Sequence, residues 1–317
     1  MGEEGELRLT IGEARALRGH CQHFSQLGWA LFTQAASALA VQAAAVAAVR
    51  LLAPGILEEP VFLWLLSTLS VYGVGFPLFC LVIRRSPAPP AAQTRRPLGP
   101  ARFFQVYLIG LAALYLFNFI TLLLMEAAGW LRGAPVDNPV DNIQSYPDAL
   151  NLLLGCVIAP AAEEWMFRGL LLSRLRPYGD KFAILSSALC FGLFHGNVNQ
   201  LLYAFALGTV FAYVVVRTGC LWQTIALHAM VNLIATGLVP LLEGLGERGE
   251  QLLGTLMLGV VMLGVVFFAA IRRELRFDRG SSGLTEGRKW RLFFENPGVL
   301  FFCLLAAVEA ASYFILL

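Results

Sequence analysis

Apolar residues run along this chain in blocks of about twenty, separated by short polar connections. A hydrocarbon core about 30 Å thick needs about 20 residues of helix to cross it. Measured with that ruler, the sequence predicts membrane spans near 27–49, 61–83, 103–131, 148–174, 182–199, 200–216, 221–243, 251–271 and 298–317. The third and fourth are long enough to tilt or to extend beyond the bilayer. The fifth and sixth are short, and only the polar patch Gly196-Asn197-Val198-Asn199-Gln200 separates them. The expectation is an all-α, polytopic membrane protein with eight or nine transmembrane helices.

Composition agrees with the pattern. Of 317 residues, 58% are hydrophobic and only 14% charged, where a soluble domain carries roughly 25% charged residues. The first 26 residues hold Glu3, Glu4, Glu6, Arg8, Glu13, Arg15 and Arg18 and no apolar core of a signal peptide. The first span therefore reads as an uncleaved anchor. With the N-terminus cytoplasmic and spans alternating, every Arg and Lys falls on the cytoplasmic side except Arg50, Arg132, Arg248 and the embedded Arg168. The acidic connections Glu58-Glu59, Asp137/Asp141 and Glu243/Glu247/Glu250 fall opposite, which supports nine spans.

The connections add little chemistry. Residues 86–100 are proline-rich and read as an extended cytoplasmic linker. Residues 135–142 repeat Pro-Val-Asp-Asn and read as consecutive turns; two carboxylates are too few for the usual calcium shell. The six cysteines form no CxxC pair, so neither a disulfide framework nor a thiolate metal site is indicated. Nucleic-acid motifs are absent. The predicted organisation is an amphipathic N-terminal segment (1–26), three peripheral spans (27–131), a helix bundle (148–243) and two C-terminal spans (251–317).

The fourth span departs from the apolar pattern with Glu163-Glu164-Trp165-Met166-Phe167-Arg168. A charge at the bilayer centre costs at least about 2.5–3.5 kcal/mol, so such residues are usually paired or functional. Glu164 and Arg168, at i and i+4, share a helix face and pair directly. Glu163 is rotated by about 100° and has no basic partner within one turn. One carboxylate is thus neutralised and one unclaimed, as suits a general base. The alternative is a buried ion cluster that only joins helices.

Two imidazoles lie in nearby spans. His195 shares a helix face with Phe191, and Gly192 and Gly196 flank it for close backbone approach. His228 and Asn232 project together from the seventh span at i and i+4. Each alone reads as well as interhelical hydrogen bonding. Together with Glu163 they supply a base, a second water ligand and two donors, the parts needed to activate water and stabilise an oxyanion.

Glu-Glu-x-x-x-Arg, Phe-x-x-x-His and His-x-x-x-Asn, in that order on successive spans, resemble the three motifs of the CPBP intramembrane protease family, which includes CAAX prenyl endopeptidases and bacteriocin-processing or immunity-type proteins. Every defined motif position is matched, by Glu163, Glu164, Arg168, Phe191, His195, His228 and Asn232. The resemblance covers roughly 148–240. It implies a catalytic bundle of spans four to seven and a glutamate-dependent hydrolysis without a covalent intermediate. Glu163 and His195 would hold the water, His228 and Asn232 would form the oxyanion hole, and Glu164, Arg168 and Phe191 would support them. The implied partners are the lipid bilayer and a membrane-anchored, possibly prenylated, or membrane-embedded peptide.

Other readings stay open. Glu163, His195 and His228 also make an ordinary catalytic zinc set, although no cofactor is required. A transporter or channel would use midplane charges to move ions, though no internal repeat suggests one. A catalytically silent immunity or scaffold protein is a further reading. Asn118, Glu126 and Glu309 lie in spans but outside the motifs; Glu309, near the middle of the last span, reads as a protonated carboxyl bonding a neighbouring helix.

Overall fold

The computed structural model describes residues 10–88, 95–136, 138 and 146–315. Asp137, Asp141 and residues 89–94 of the 86–100 linker therefore lie outside the described residues. Those described form ten helices and no strand: α1 Ile11–Leu52, α2 Pro60–Ile83, α3 Pro100–Arg132, α4 Asp148–Tyr178, α5 Asp180–Phe194, α6 Val198–Thr218, α7 Leu221–Glu243, α8 Glu247–Ile271, α9 Glu286–Phe294 and α10 Pro297–Ile315. Eight of these are long and apolar enough to cross a membrane.

The exceptions are informative. α5 has 15 residues, about 22 Å of helix, and stops at Phe194 rather than continuing to residue 199. Gly196, at φ +62°, and Asn197 reverse the chain there. Asn197 accepts the Gln200 N–H at 2.8 Å and donates to the His195 carbonyl at 2.7 Å. The polar patch between the two short spans is therefore the N-cap of α6. α9 was not expected from the spans. It carries Arg288, Lys289 and Arg291 along with buried Phe293, which packs edge-on to Phe24 and Phe182. At the other end of the chain, a reciprocal Thr10–Glu13 capping box starts α1 at Ile11, so that helix runs on through the charged residues preceding the first apolar span.

Prolines explain the irregular backbone of three spans. Pro77, Pro160 and Pro240 each follow a turn widened to the i→i−5 register, over Leu69–Gly75, Leu154–Ile158 and Ile234–Leu238. In each, the residue before the proline donates five residues back: Phe76 to Val71, Ala159 to Leu154, Val239 to Ile234. Proline has no N–H to continue the ladder, so the next carbonyl, on Tyr72, Gly155 or Ala235, loses its helical donor. Such widened turns recur at functional sites.

The bundle is arranged around α4–α7. α6 packs between α5 and α3, α3 packs on α8, and α1 lies along α10 and α2. Small residues set these distances: a Cβ on Gly28 would fall 2.1 Å from the Val299 nitrogen, and one on Gly264 would fall 2.4 Å from the Leu108 carbonyl. An aromatic and aliphatic core built on Phe24, Phe79, Phe167, Phe182 and Phe302 joins α1, α2, α4, α5 and α10. A second, built on Leu108, Leu207, Phe211 and Leu227, joins α3, α6 and α7. The described end of the 86–100 linker is pinned to α7, where Gln223 bonds both the N–H and the carbonyl of Leu98.

Candidate active site

The two carboxylates of α4 end a short regular turn, Ala159–Glu164, between the proline-linked widening before it and a second widened stretch, Trp165–Leu171. Glu164 and Arg168 are both wholly buried and lie 3.0 Å apart, Oε1 to Nη1. The contact is an ion pair without aligned hydrogen-bond geometry, since no guanidinium nitrogen of Arg168 makes a well-directed bond. Aromatic faces compensate. The guanidinium carbon sits 4.1 Å from the Phe191 ring centre and 5.7 Å from that of Phe211, within the range of cation–π attraction. A Cβ on Gly208 would lie 3.2 Å from Nη2, so glycine there leaves room for the charge.

Glu164 has a second task that the sequence did not reveal. Its Oε1 accepts from His228 Nδ1 at 3.1 Å. This fixes the imidazole and turns Nε2 toward Glu163, whose Oε2 is 3.8 Å away. That separation is too long for a direct hydrogen bond and is one at which a shared water is the first thing to consider. Glu163 Oε1 is engaged elsewhere, accepting from the hydroxyl of Tyr72 on α2 at 2.6 Å.

His195 caps the C-terminus of α5. Its Nδ1 donates to the Phe191 carbonyl at 2.9 Å, which leaves Nε2 as the ring's acceptor when the imidazole is neutral. Phe191 also touches both histidine rings edge-on, with centroid distances of 5.0 Å to His195 and 5.9 Å to His228. The residue thus joins the His195 and Arg168 sides of the cluster.

Asn232, expected either beside His228 as a donor or as an interhelical hydrogen bond, makes an interhelical bond. Its amide donates to the Gly155 carbonyl at 2.7 Å. Gly155 is the acceptor that Pro160 leaves without a helical donor, so Asn232 repairs the widened turn of α4. One further N–H of the same amide remains.

Among the described residues no three His, Cys, Asp or Glu side chains form a group able to hold a metal ion. Glu163, His195 and His228 therefore do not fit the zinc alternative as arranged. Of His228 only Nε2 is open toward Glu163, because its Nδ1 is bound to Glu164. Glu309 lies against the neighbouring end of α5, beside the site: a Cβ on Gly196, next to His195, would fall 3.0 Å from its Oε2.

Sequence reading missed Tyr72, Gly155 and Phe211. Pro77 and Pro160 were the available signals, because an intramembrane proline frees a carbonyl and distorts the turn before it.

Comparison with known proteins agrees with the motif-bearing region. Residues 145–234 match the family described as Type II CAAX prenyl endopeptidase Rce1-like. A Bacillus subtilis (strain 168) protein named "Putative membrane peptidase YdiL" is 33% identical over 94 residues, which are 29% of this chain and 38% of that protein. The chain thus matches well under half the length of that relative. No solved structure matches.

Proposed function

We propose, from the membership of residues 145–234 in the Rce1-like type II CAAX prenyl endopeptidase (CPBP) family, that this multi-pass membrane protein is a glutamate-dependent intramembrane endopeptidase. The observation that carries the reading is the pair formed by Glu163 Oε2 and His228 Nε2. They face each other across 3.8 Å in a buried site while their companion atoms, Oε1 and Nδ1, are bound elsewhere.

In this reading Glu163 Oε2 takes a proton from a water that His195 Nε2 also holds. The water oxygen forms a bond to the carbonyl carbon of the scissile peptide, and the carbonyl electrons move to its oxygen. His228 Nε2–H and the remaining Asn232 N–H stabilise that oxyanion. Collapse breaks the C–N bond, and Glu163 passes its proton to the departing amine. For His228 to donate from Nε2 while Nδ1–H is bound to a carboxylate, the ring must carry both protons. Glu163 and Glu164 supply the flanking negative charge that such an imidazolium requires. Arg168 neutralises Glu164, and Phe191 holds the guanidinium.

Residues 148–243 form the catalytic bundle in this account, with the other spans as its surround and the N-terminus cytoplasmic. The substrate is a peptide anchored in or embedded in the bilayer, with a prenylated C-terminal peptide as the class suggested by the family. The test is reconstitution of purified protein in liposomes with prenylated, acylated and transmembrane peptides, followed by mass spectrometry of new termini. Specific cleavage that vanishes in Glu163→Gln supports the reading. Failure to cut any peptide, together with an ion flux that requires Glu163, ends it.

A further inference from the structure

The catalytic carboxylate of this reading is tethered from outside the family-matching segment. Tyr72 belongs to α2, about ninety positions before Glu163, yet its hydroxyl donates to Glu163 Oε1 at 2.6 Å. That length is at the short end of the range for a hydroxyl hydrogen bond. The sequence builds this position deliberately. Tyr72 lies in the widened turn Leu69–Gly75 ahead of Pro77. Gly75, in the same turn, brings α2 against Gln34 of α1; a Cβ there would fall 2.9 Å from the Gln34 carbonyl and 3.2 Å from its Nε2. Gln34 is itself buried, and it lines a narrow crevice with Tyr72, Val71, Met166 and Glu163.

We infer that Tyr72 is a positioning residue for hydrolysis: by occupying Glu163 Oε1 it makes Oε2 the oxygen that receives the water proton, and it keeps Glu163 from closing onto His228. A free carboxylate has two equivalent oxygens and would rotate toward the nearest cationic group. His228 Nε2 stands 3.8 Å from Oε2; a rotation shortening that distance by about 1 Å makes a direct ion pair of ordinary length and removes the place for water. The Tyr72 bond opposes the rotation. This inference rests on the hydrolase reading and adds a residue that none of the three motifs contains.

Tyr72→Phe keeps the ring and removes only the hydroxyl. With any membrane-anchored peptide that the unaltered protein cuts, Tyr72→Phe is expected to lower kcat by about tenfold or more, the cost typical of losing a hydrogen bond to a charged group. KM should stay within about twofold, and the detergent melting temperature should not change. Val71→Ala, which trims the same crevice without removing a polar group, should keep kcat near normal. A 3-fluorotyrosine at position 72, which preserves both ring and hydroxyl, should restore most of the rate.

Three results overturn the inference. Tyr72→Phe with normal kcat, alongside an inactive Glu163→Gln, removes Tyr72 from the mechanism and leaves the hydrolase reading standing. Equal losses of kcat and melting temperature in Tyr72→Phe, matched by Val71→Ala and not repaired by fluorotyrosine, reduce Tyr72 to packing. An unaltered protein that cuts no peptide removes the hydrolase reading and this inference with it.

Discussion

Helices α4–α7 and the helices around them solve the problem of packing in a membrane by opposite means. Within α4–α7 the contacts that matter are polar: Glu164 with Arg168 and His228, His195 with the Phe191 carbonyl, Asn232 with the Gly155 carbonyl, Ser187 with the Phe167 carbonyl. Among the surrounding helices the closest contacts are apolar and depend on missing side chains, as where Gly28 meets Val299 and Gly264 meets Leu108. Lipid tails are as apolar as leucine, so surrounding helices gain mainly from close van der Waals approach. The motif region bears the expense of burying charge, and such expense is characteristic of sites with a task. Substitutions in the two regions should therefore separate in kind, the first affecting turnover and the second stability.

The largest effect is expected at Glu163, the proposed base. Glu163→Gln preserves shape and removes the proton acceptor, so peptide turnover should fall by about 100- to 10,000-fold while the melting temperature stays put. Normal turnover here, with loss in Glu164→Gln instead, would exchange the roles of the two carboxylates. Asn232→Ala should cost about 100- to 1000-fold in kcat with little change in KM, measured on the same peptides. Because Asn232 also bonds the freed Gly155 carbonyl, a loss of stability without a selective loss of kcat would make it a repair of the α4 turn alone.

Arg168→Ala tests the boundary of the comparison, since it lies in the motif region yet is charged chiefly for stability. Removing one member of a buried pair strands the other, at a cost of about 3–5 kcal/mol; chemical denaturation in detergent should register it, and Arg168→Lys should recover only part because the flat guanidinium contact with Phe191 is lost. Gly28→Ala, in the surrounding helices, should cost about 1–3 kcal/mol through overpacking against the α10 backbone and leave the kcat of the folded fraction intact. Smallest of all is the expected effect of chelation. Prolonged treatment with a zinc chelator should leave turnover unchanged, and elemental analysis should find no stoichiometric zinc; activity restored only by added metal would favour a rearranged Glu163/His195/His228 zinc site.

Much of this arrangement was legible in the residue pattern. Apolar blocks of membrane length predicted the helices, because a bilayer leaves the backbone no other partner than itself. The i, i+4 spacing of Glu164 and Arg168 predicted their ion pair, because helix geometry alone brings those positions together. Three ordered motifs predicted the family matched by residues 145–234.

What the sequence did not determine is which atom of each polar group is occupied, since that depends on partners contributed by other helices. Nothing near Glu163 in the chain announces that its Oε1 is bound by Tyr72 from α2, or that the Glu164 paired with Arg168 also orients His228 from α7. Nor does helix periodicity anticipate Asn232 meeting Gly155, because that contact exists only where Pro160 has opened the α4 turn and α7 packs against it. Local spacing decides which side chains share one helix. Only the packing of several helices decides which lone pair and which proton are left over for chemistry.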